Sequence, residues 1–185
     1  MTLTPQQRTA LRSAIEADPT ANTLFVDGNL GGLADYFNAP SSPTTWVWKS
    51  AVPTADLFDQ IAWANMTPNG SPGADAAWTN RSLACQGKQF NLQTILVGRE
   101  TINPSKNRVR DGLQDALTDL PSGNNGNLRQ AGWDNVRSQL FRAATRFEAL
   151  FKTGTGTNAD PGKLGTGVGG SAIEGAVSYT EFMGL

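Results

Sequence analysis

The chain has 185 residues, with fifteen basic against sixteen acidic side chains and a formal net charge of −1. That length supports one domain with a real core, and the charge excludes a dedicated nucleic-acid binder whose affinity comes from phosphate neutralisation. There is no histidine, which removes Ser-His and Cys-His nucleophile activation, an imidazole general base and an imidazole zinc ligand.

Low hydrophobic (38%) and charged (17%) fractions, together with 20 glycines and 10 prolines, predict much irregular structure. No apolar run approaches the roughly 18 residues of a membrane span. The stretch Met1 to Pro5 lacks a charged-then-apolar leader pattern, so the expectation is a soluble, unexported protein with no membrane partner.

Thr4-Pro5-Gln6-Gln7 combines an N-cap, proline at the first helical position and glutamine at the capping-box position. It predicts a helix running to Ala17. Asp18-Pro19 ends that helix, because the residue before proline is pushed out of α geometry. Short helical turns are expected from Thr20 to Phe37, with Leu24, Phe25, Leu30, Leu33, Tyr36 and Phe37 as core and Gly28, Gly31 and Gly32 as interruptions. A loop through Pro40 and Pro43 leads to an extended Trp46-Val47-Trp48.

Pro53 and Thr54 open a helix striped by Leu57, Phe58, Ile61 and Ala64. Asn65 to Gly73, with Pro68, Asn69-Gly70 and Pro72, is a loop. Asp75 to Val97 predicts a long helix with Trp78, Cys85, Leu92 and Leu96 inward and Gly98 as its stop; the lone Cys85 is a small core residue. Asn103-Pro104 caps a helix striped by Val109, Leu113, Ala116, Leu117 and Leu120, and Pro121 to Gly126 is a loop.

Trp133 to Lys152 predicts one continuous basic amphipathic helix. Trp133, Val136, Leu140, Ala143, Phe147, Leu150 and Phe151 fall in one arc at about 100° per residue, with Arg142 and Arg146 on its flank and Gly154 beyond its end. From Asn158 the chain is glycine-spaced, and only Glu174 to Tyr179 recovers alternation, predicting a terminal strand that sets Val177 and Tyr179 on one side. A lone strand must pair with Trp46–Trp48 or with another chain. The reading is a mainly α fold. Residues 1–157 form a bundle of about five helices, and 158–185 form an extended glycine-rich arm carrying a short strand or hairpin and ordered by an adjacent subunit or another neighbouring protein.

No group of residues presents a catalytic constellation, so no enzyme activity and no cofactor or metal site is expected. Gly154-Thr155-Gly156-Thr157 follows a helix, whereas phosphate-cradling loops precede one. Asn80-Arg81-Ser82 matches a glycosylation acceptor by chance, and Asp56 with Asp59, Asp111 with Asp115, and Asp119 are solvated helix faces. Trp46 and Trp48 either plug the core or anchor a subunit contact. Arg142 and Arg146 are either ordinary surface charge or a face turned to DNA or an acidic partner.

Three blocks carry a resemblance: Trp48 to Pro53, Arg146 to Thr157, and Glu174 to Tyr179. Their order resembles small virion proteins of tailed bacteriophages, of the head-to-tail joining type, over most of the chain from Trp46 onward. The chain departs from the usual spacing by a longer glycine-rich insert at 161–172. The resemblance implies a connector adaptor made in the host cytoplasm and placed in the virion neck, in a ring of about twelve copies. Its partners would be copies of itself, the portal protein and tail or head-completion proteins, with non-specific contact to packaged DNA. The candidate interface residues are Trp46, Trp48, Arg142, Arg146, Val177 and Tyr179. A tail-end or capsid-associated protein, or an assembly factor outside the virion, is the alternative.

Overall fold

A computed structural model describes residues 2–66, 83–121 and 128–185. Trp78, the start of the helix expected from Asp75, the Asn80 sequon, most of the loop up to Gly73 and the loop at 122–126 lie outside them. The helices are α1 (Pro5–Ala17), α2 (Pro19–Val26), α3 (Leu30–Asn38), α4 (Thr54–Phe58), α5 (Leu83–Leu96), α6 (Asn107–Leu117), α7 (Trp133–Leu140) and α8 (Arg146–Phe151). The strands are β1 (Trp46–Trp48), β2 (Val52–Pro53), β3 (Thr101–Ile102), β4 (Leu120–Pro121), β5 (Leu128–Arg129) and β6 (Phe141–Ala143). The fold is mainly helical, and its eight helices among the described residues are shorter and more numerous than the expected five. None is long and apolar enough to cross a membrane.

The chain forms two compact units, Met1–Trp48 with Arg142–Leu185, and Lys49–Phe141. Local signals set the start of the first unit. Thr4 Oγ1 accepts from the Gln7 N–H at 3.3 Å, and Gln7 Oε1 accepts from the Thr4 N–H at 2.9 Å, closing the capping box of α1. Asp18 stops α1 and also caps α2, its Oδ1 accepting from the Thr20 and Ala21 N–H groups. Of the core residues expected here, Leu33 and Phe37 are buried, while Leu24, Phe25, Leu30 and Tyr36 pack partly buried against them.

The helix expected from Trp133 to Lys152 is broken. After Leu140 the backbone extends, with Phe141 at φ −131° and ψ 170°, and β6 pairs with β1. The Ala144 N–H donates to Thr45 O at 2.8 Å, and the Arg146 N–H to Ala39 O at 2.9 Å. Thr145 then caps α8 with a second capping box, from Glu148. Pairing with a distant strand and a new N-cap outcompete helix continuation, so Arg142 and Arg146 do not share a helical flank.

The segment 158–185 is folded onto the first unit. Ile173, Val177 and Phe182 join Leu11, Ile15, Leu33, Phe37 and Phe147 in one core, and Leu164 packs with Val47 and Ala144. The chain divides at 48/49 and 141/142, and no boundary falls at 157/158. Burial of apolar side chains spaced along the tail supplies the driving force. Glycine permits the close approach: a Cβ at Gly165 would lie 2.5 Å from Phe151 O, and one at Gly167 would lie 2.5 Å from Thr2 O.

Glu174 to Tyr179 forms no strand. Gly175 takes φ +88°, and the Val177 N–H and C=O bond to the Asn38 side chain at 2.8 and 2.9 Å. The outer edge of β1 is instead met by Gly162, whose N–H donates to Trp46 O at 2.8 Å and whose C=O accepts from the Trp48 N–H at 2.9 Å.

In the second unit, α5 packs on α6 and runs unbroken through Gly87. Cys85 is buried, its thiol donating to Met66 O at 3.1 Å. Leu113, Ala116, Leu117 and Leu120 are buried as the stripe predicts. Asn103 caps a turn, with Oδ1 accepting from the Ser105 N–H and hydroxyl, and α6 begins at Asn107. The helix opened by Thr54 stops at Phe58, leaving Leu57 and Ile61 buried and Phe58 at the surface.

Candidate functional site

All six candidate interface residues lie in the first unit, but they fall into different environments. Trp48 and Val177 are buried core, and Trp46 is half-buried beside a fully buried Val47. Tyr179 is 55% exposed at the start of a single 3-10 turn. The two arginines differ from all of these and from each other.

Arg142, on β6, grips Glu148 with both terminal nitrogens, at 2.7 Å to Oε2 and 2.6 Å to Oε1, and reaches Glu174 Oε1 at 3.3 Å. Glu148 is 1% exposed, so its charge needs a full set of partners. It has them, because Oε2 also accepts from the Thr145 N–H at 3.0 Å and Oε1 from the Gly175 N–H at 2.9 Å. Burial pushes the Glu148 carboxyl up, but the Arg142 hydrogen bonds, the two backbone N–H groups and the arginine's charge outweigh it and hold the carboxyl below its ordinary value. The same hydrogen bonds push Arg142 further up, against its own burial. The cluster ties β6, the start of α8 and the tail at 174–175 together. Arg142 is therefore a structural cation and not an exposed face for a partner.

Arg146 makes a different arrangement. Its guanidinium lies over the Tyr36 ring, 3.9 Å from the centroid. Tyr36 is held in turn by its hydroxyl donating to Asp18 Oδ2. That bond, with the Ala21 and Thr20 N–H groups and the Arg146 charge, holds the Asp18 carboxyl below its ordinary value against its slight desolvation; the same bond, with desolvation and the Asp18 charge, raises the Tyr36 hydroxyl against the Arg146 charge. Asp18 thus positions two helices and one aromatic ring.

Asp18, Tyr36, Asn38 and Glu148 were not singled out as site residues by the sequence. One signal was present: Thr145-x-x-Glu148 is a capping box inside the apparent long helix. Asn38 gives no local signal, since its partner Val177 is remote in the chain. No group of three or more acidic or cysteine side chains placed to hold a metal ion occurs among the described residues. Compared with known protein families, curated proteins and solved structures, the chain shows no significant match.

Proposed function

We propose that the chain is a structural protein of a tailed-phage virion, a connector adaptor that assembles as a ring between portal and tail components. The observation that carries this reading is the ordered set of blocks at Trp48 to Pro53, Arg146 to Thr157 and Glu174 to Tyr179. Two of these blocks meet: Glu148 and Glu174 share Arg142, and Glu148 accepts from the Gly175 N–H. The resemblance thus coincides with one interlocked centre of the fold. Large apolar side chains at the surface also support an associating subunit. Phe58 and Trp63 stack at 5.6 Å, the latter 45% exposed, and Leu83, Phe90 and Val97 stand outward at seven-residue intervals on and just past α5.

The proposal replaces an extended arm with folded surface as the place of contact. With Val177 and Trp48 buried and Arg142 occupied by carboxylates, contacts with neighbours fall to folded surface such as Tyr179. Native mass spectrometry of the purified chain, with mass spectrometry and immunogold labelling of particles from cells making it, tests the reading. A closed ring and label at the head-to-tail junction are expected. Label at the tail tip or on the capsid would move the chain elsewhere in the virion, and a monomer that never enters particles would overturn the proposal.

A further inference from the structure

Beside Arg146 the first unit holds a cavity of about 460 Å³. Among its lining residues are Arg146, Tyr36 and Asp18, an apolar wall that includes Ala14 and Leu150, and Ser42. The chemistry of this cavity follows from which polar groups are already engaged. Both Asp18 oxygens are engaged, Oδ1 by two backbone N–H groups and Oδ2 by the Tyr36 hydroxyl. Tyr36 has given its only proton to Asp18, and its ring face is covered by the guanidinium.

Arg146 is not saturated. Its backbone N–H bonds to Ala39 O, but its guanidinium makes no hydrogen bond to the described residues. The contact with Tyr36, 3.9 Å from guanidinium carbon to ring centroid, takes up none of its N–H donors in a hydrogen bond. The ring contact holds the guanidinium at the cavity before any ligand arrives. A guanidinium edge matches the two oxygens of a planar oxyanion. Ser42, whose hydroxyl has no hydrogen-bond partner among the described residues, also lines the cavity.

Charge and shape narrow the class. The positive Arg146 and the negative Asp18 bring the formal charge of the wall to zero, which disfavours a doubly charged anion. The apolar side favours hydrocarbon attached to the oxyanion. We propose that this cavity binds a singly charged carboxylate carried on an apolar group, with Arg146 as the bidentate donor and Ser42 as its companion. The carboxylate comes either from a free organic acid or from an acidic side chain beside an apolar residue in a partner segment. The proposal does not rest on the virion reading.

The test is NMR titration of the full chain with phenylacetate, with a blocked leucyl-glutamate dipeptide and with inorganic phosphate, following the Arg146 side-chain Nε–H and the Ala149 amide. Saturable shifts are expected with phenylacetate or the dipeptide, and whichever binds more tightly identifies the source. Arg146→Lys, which keeps the charge but not the fork, should weaken binding about tenfold, the lower end for loss of a charge-assisted hydrogen bond. Arg146→Met should abolish binding, Ser42→Ala should weaken it less than Arg146→Lys, and Arg12→Met, on an exposed arginine elsewhere on α1, should leave it unchanged. If Arg146→Met fails to fold, Arg146→Lys still decides. Unchanged affinity in Arg146→Lys, tighter binding of phosphate than of either carboxylate, or no saturable shift at these residues would overturn the proposal.

Discussion

The first unit builds one core from two ends of the chain that satisfy their backbones in different ways. Between Pro5 and Asn38 the polar backbone is bonded within helices, and the helix ends are closed by nearby side chains: Thr4, Gln7, Asp18 and Asn29. Between Leu164 and Leu185 there is little regular structure, and side chains from elsewhere bond the backbone alongside its own turns and bridges. Gln7 donates to Thr166 O, Arg8 to Met183 O, Asn38 exchanges two bonds with Val177, and Glu148 accepts from Gly175. A glycine-rich segment can therefore be fully part of a core when polar side chains take the place of a ladder or a helix. The cost is that each such bond depends on a particular residue.

The comparison is broken most strongly at the core itself. Phe182 is 1% exposed and lies 5.7 Å from Phe37, centroid to centroid. If the tail is core, Phe182→Ala should destabilise the first unit by about 4 kcal/mol, as much as truncating a buried residue of α1 such as Leu11. Urea denaturation of the two variants gives the comparison directly. A Phe182→Ala cost below about 1 kcal/mol, the scale of a surface change, would return the tail to the peripheral arm expected from composition.

Glu148 ties the tail to β6 and α8 and should come next. Glu148→Gln removes the charge opposite Arg142 and one acceptor from the ring of bonds. Breaking a buried pair from one side costs about 3 kcal/mol at the low end, appropriate here because Arg142 is 31% exposed. The carboxyl is held below its ordinary value when folded. Its contribution is therefore complete above the unfolded carboxylate pKa of about 4.3 and fades as pH falls through the lower folded value. Melting temperature against pH should drop on acidification in the parent and much less in Glu148→Gln. Parallel curves would mean that other carboxylates set the acid limb.

Asn38→Ala isolates the tail. Two bonds to a residue that is 2% exposed are lost together, for a cost of about 2 kcal/mol. Amide hydrogen exchange should accelerate at Val177 and its neighbours while α1 keeps its protection. Equal acceleration in α1 would show that tail and helices open as one cooperative body.

The same contrast explains what was legible in the sequence. The boundaries of α1 and α2 are written locally in Thr4-Pro5 and Asp18-Pro19, and the α6 stripe in the spacing of Leu113, Ala116 and Leu117, so they are readable without the fold. Phe141 to Ala143 is not, because its apolar spacing fits a helix and only the remote β1 turns it into a strand. The tail is misread for a related reason. Composition registers its glycines, whereas its order comes from four spaced apolar residues and from Asn38 and Glu148, which carry no periodic signal. Trp48 and Val177 proved core, and Arg142 an internal ion-pair partner. The pairing of Arg146 with Tyr36 depends on two elements meeting, which no local spacing encodes.

The smallest effect tests whether a local bond and a remote one differ in cost. Thr4→Ala removes the hydroxyl that accepts from the Gln7 N–H at 3.3 Å, but leaves the Thr4 backbone N–H free to donate to Gln7 Oε1. Thr4 is only half-buried, so water can reach the vacated N–H, and the loss should be about 1 kcal/mol, typical of an N-cap. Asn38→Ala removes two bonds, to a backbone that is buried at Val177, against one at Thr4, and is expected to cost about twice as much. Thermal denaturation of both variants in the same buffer measures the ratio. If Thr4→Ala proves as costly as Asn38→Ala, neither burial nor the second bond separates the two ends of this unit, and the tail is held no more dependently on single side chains than the helix is.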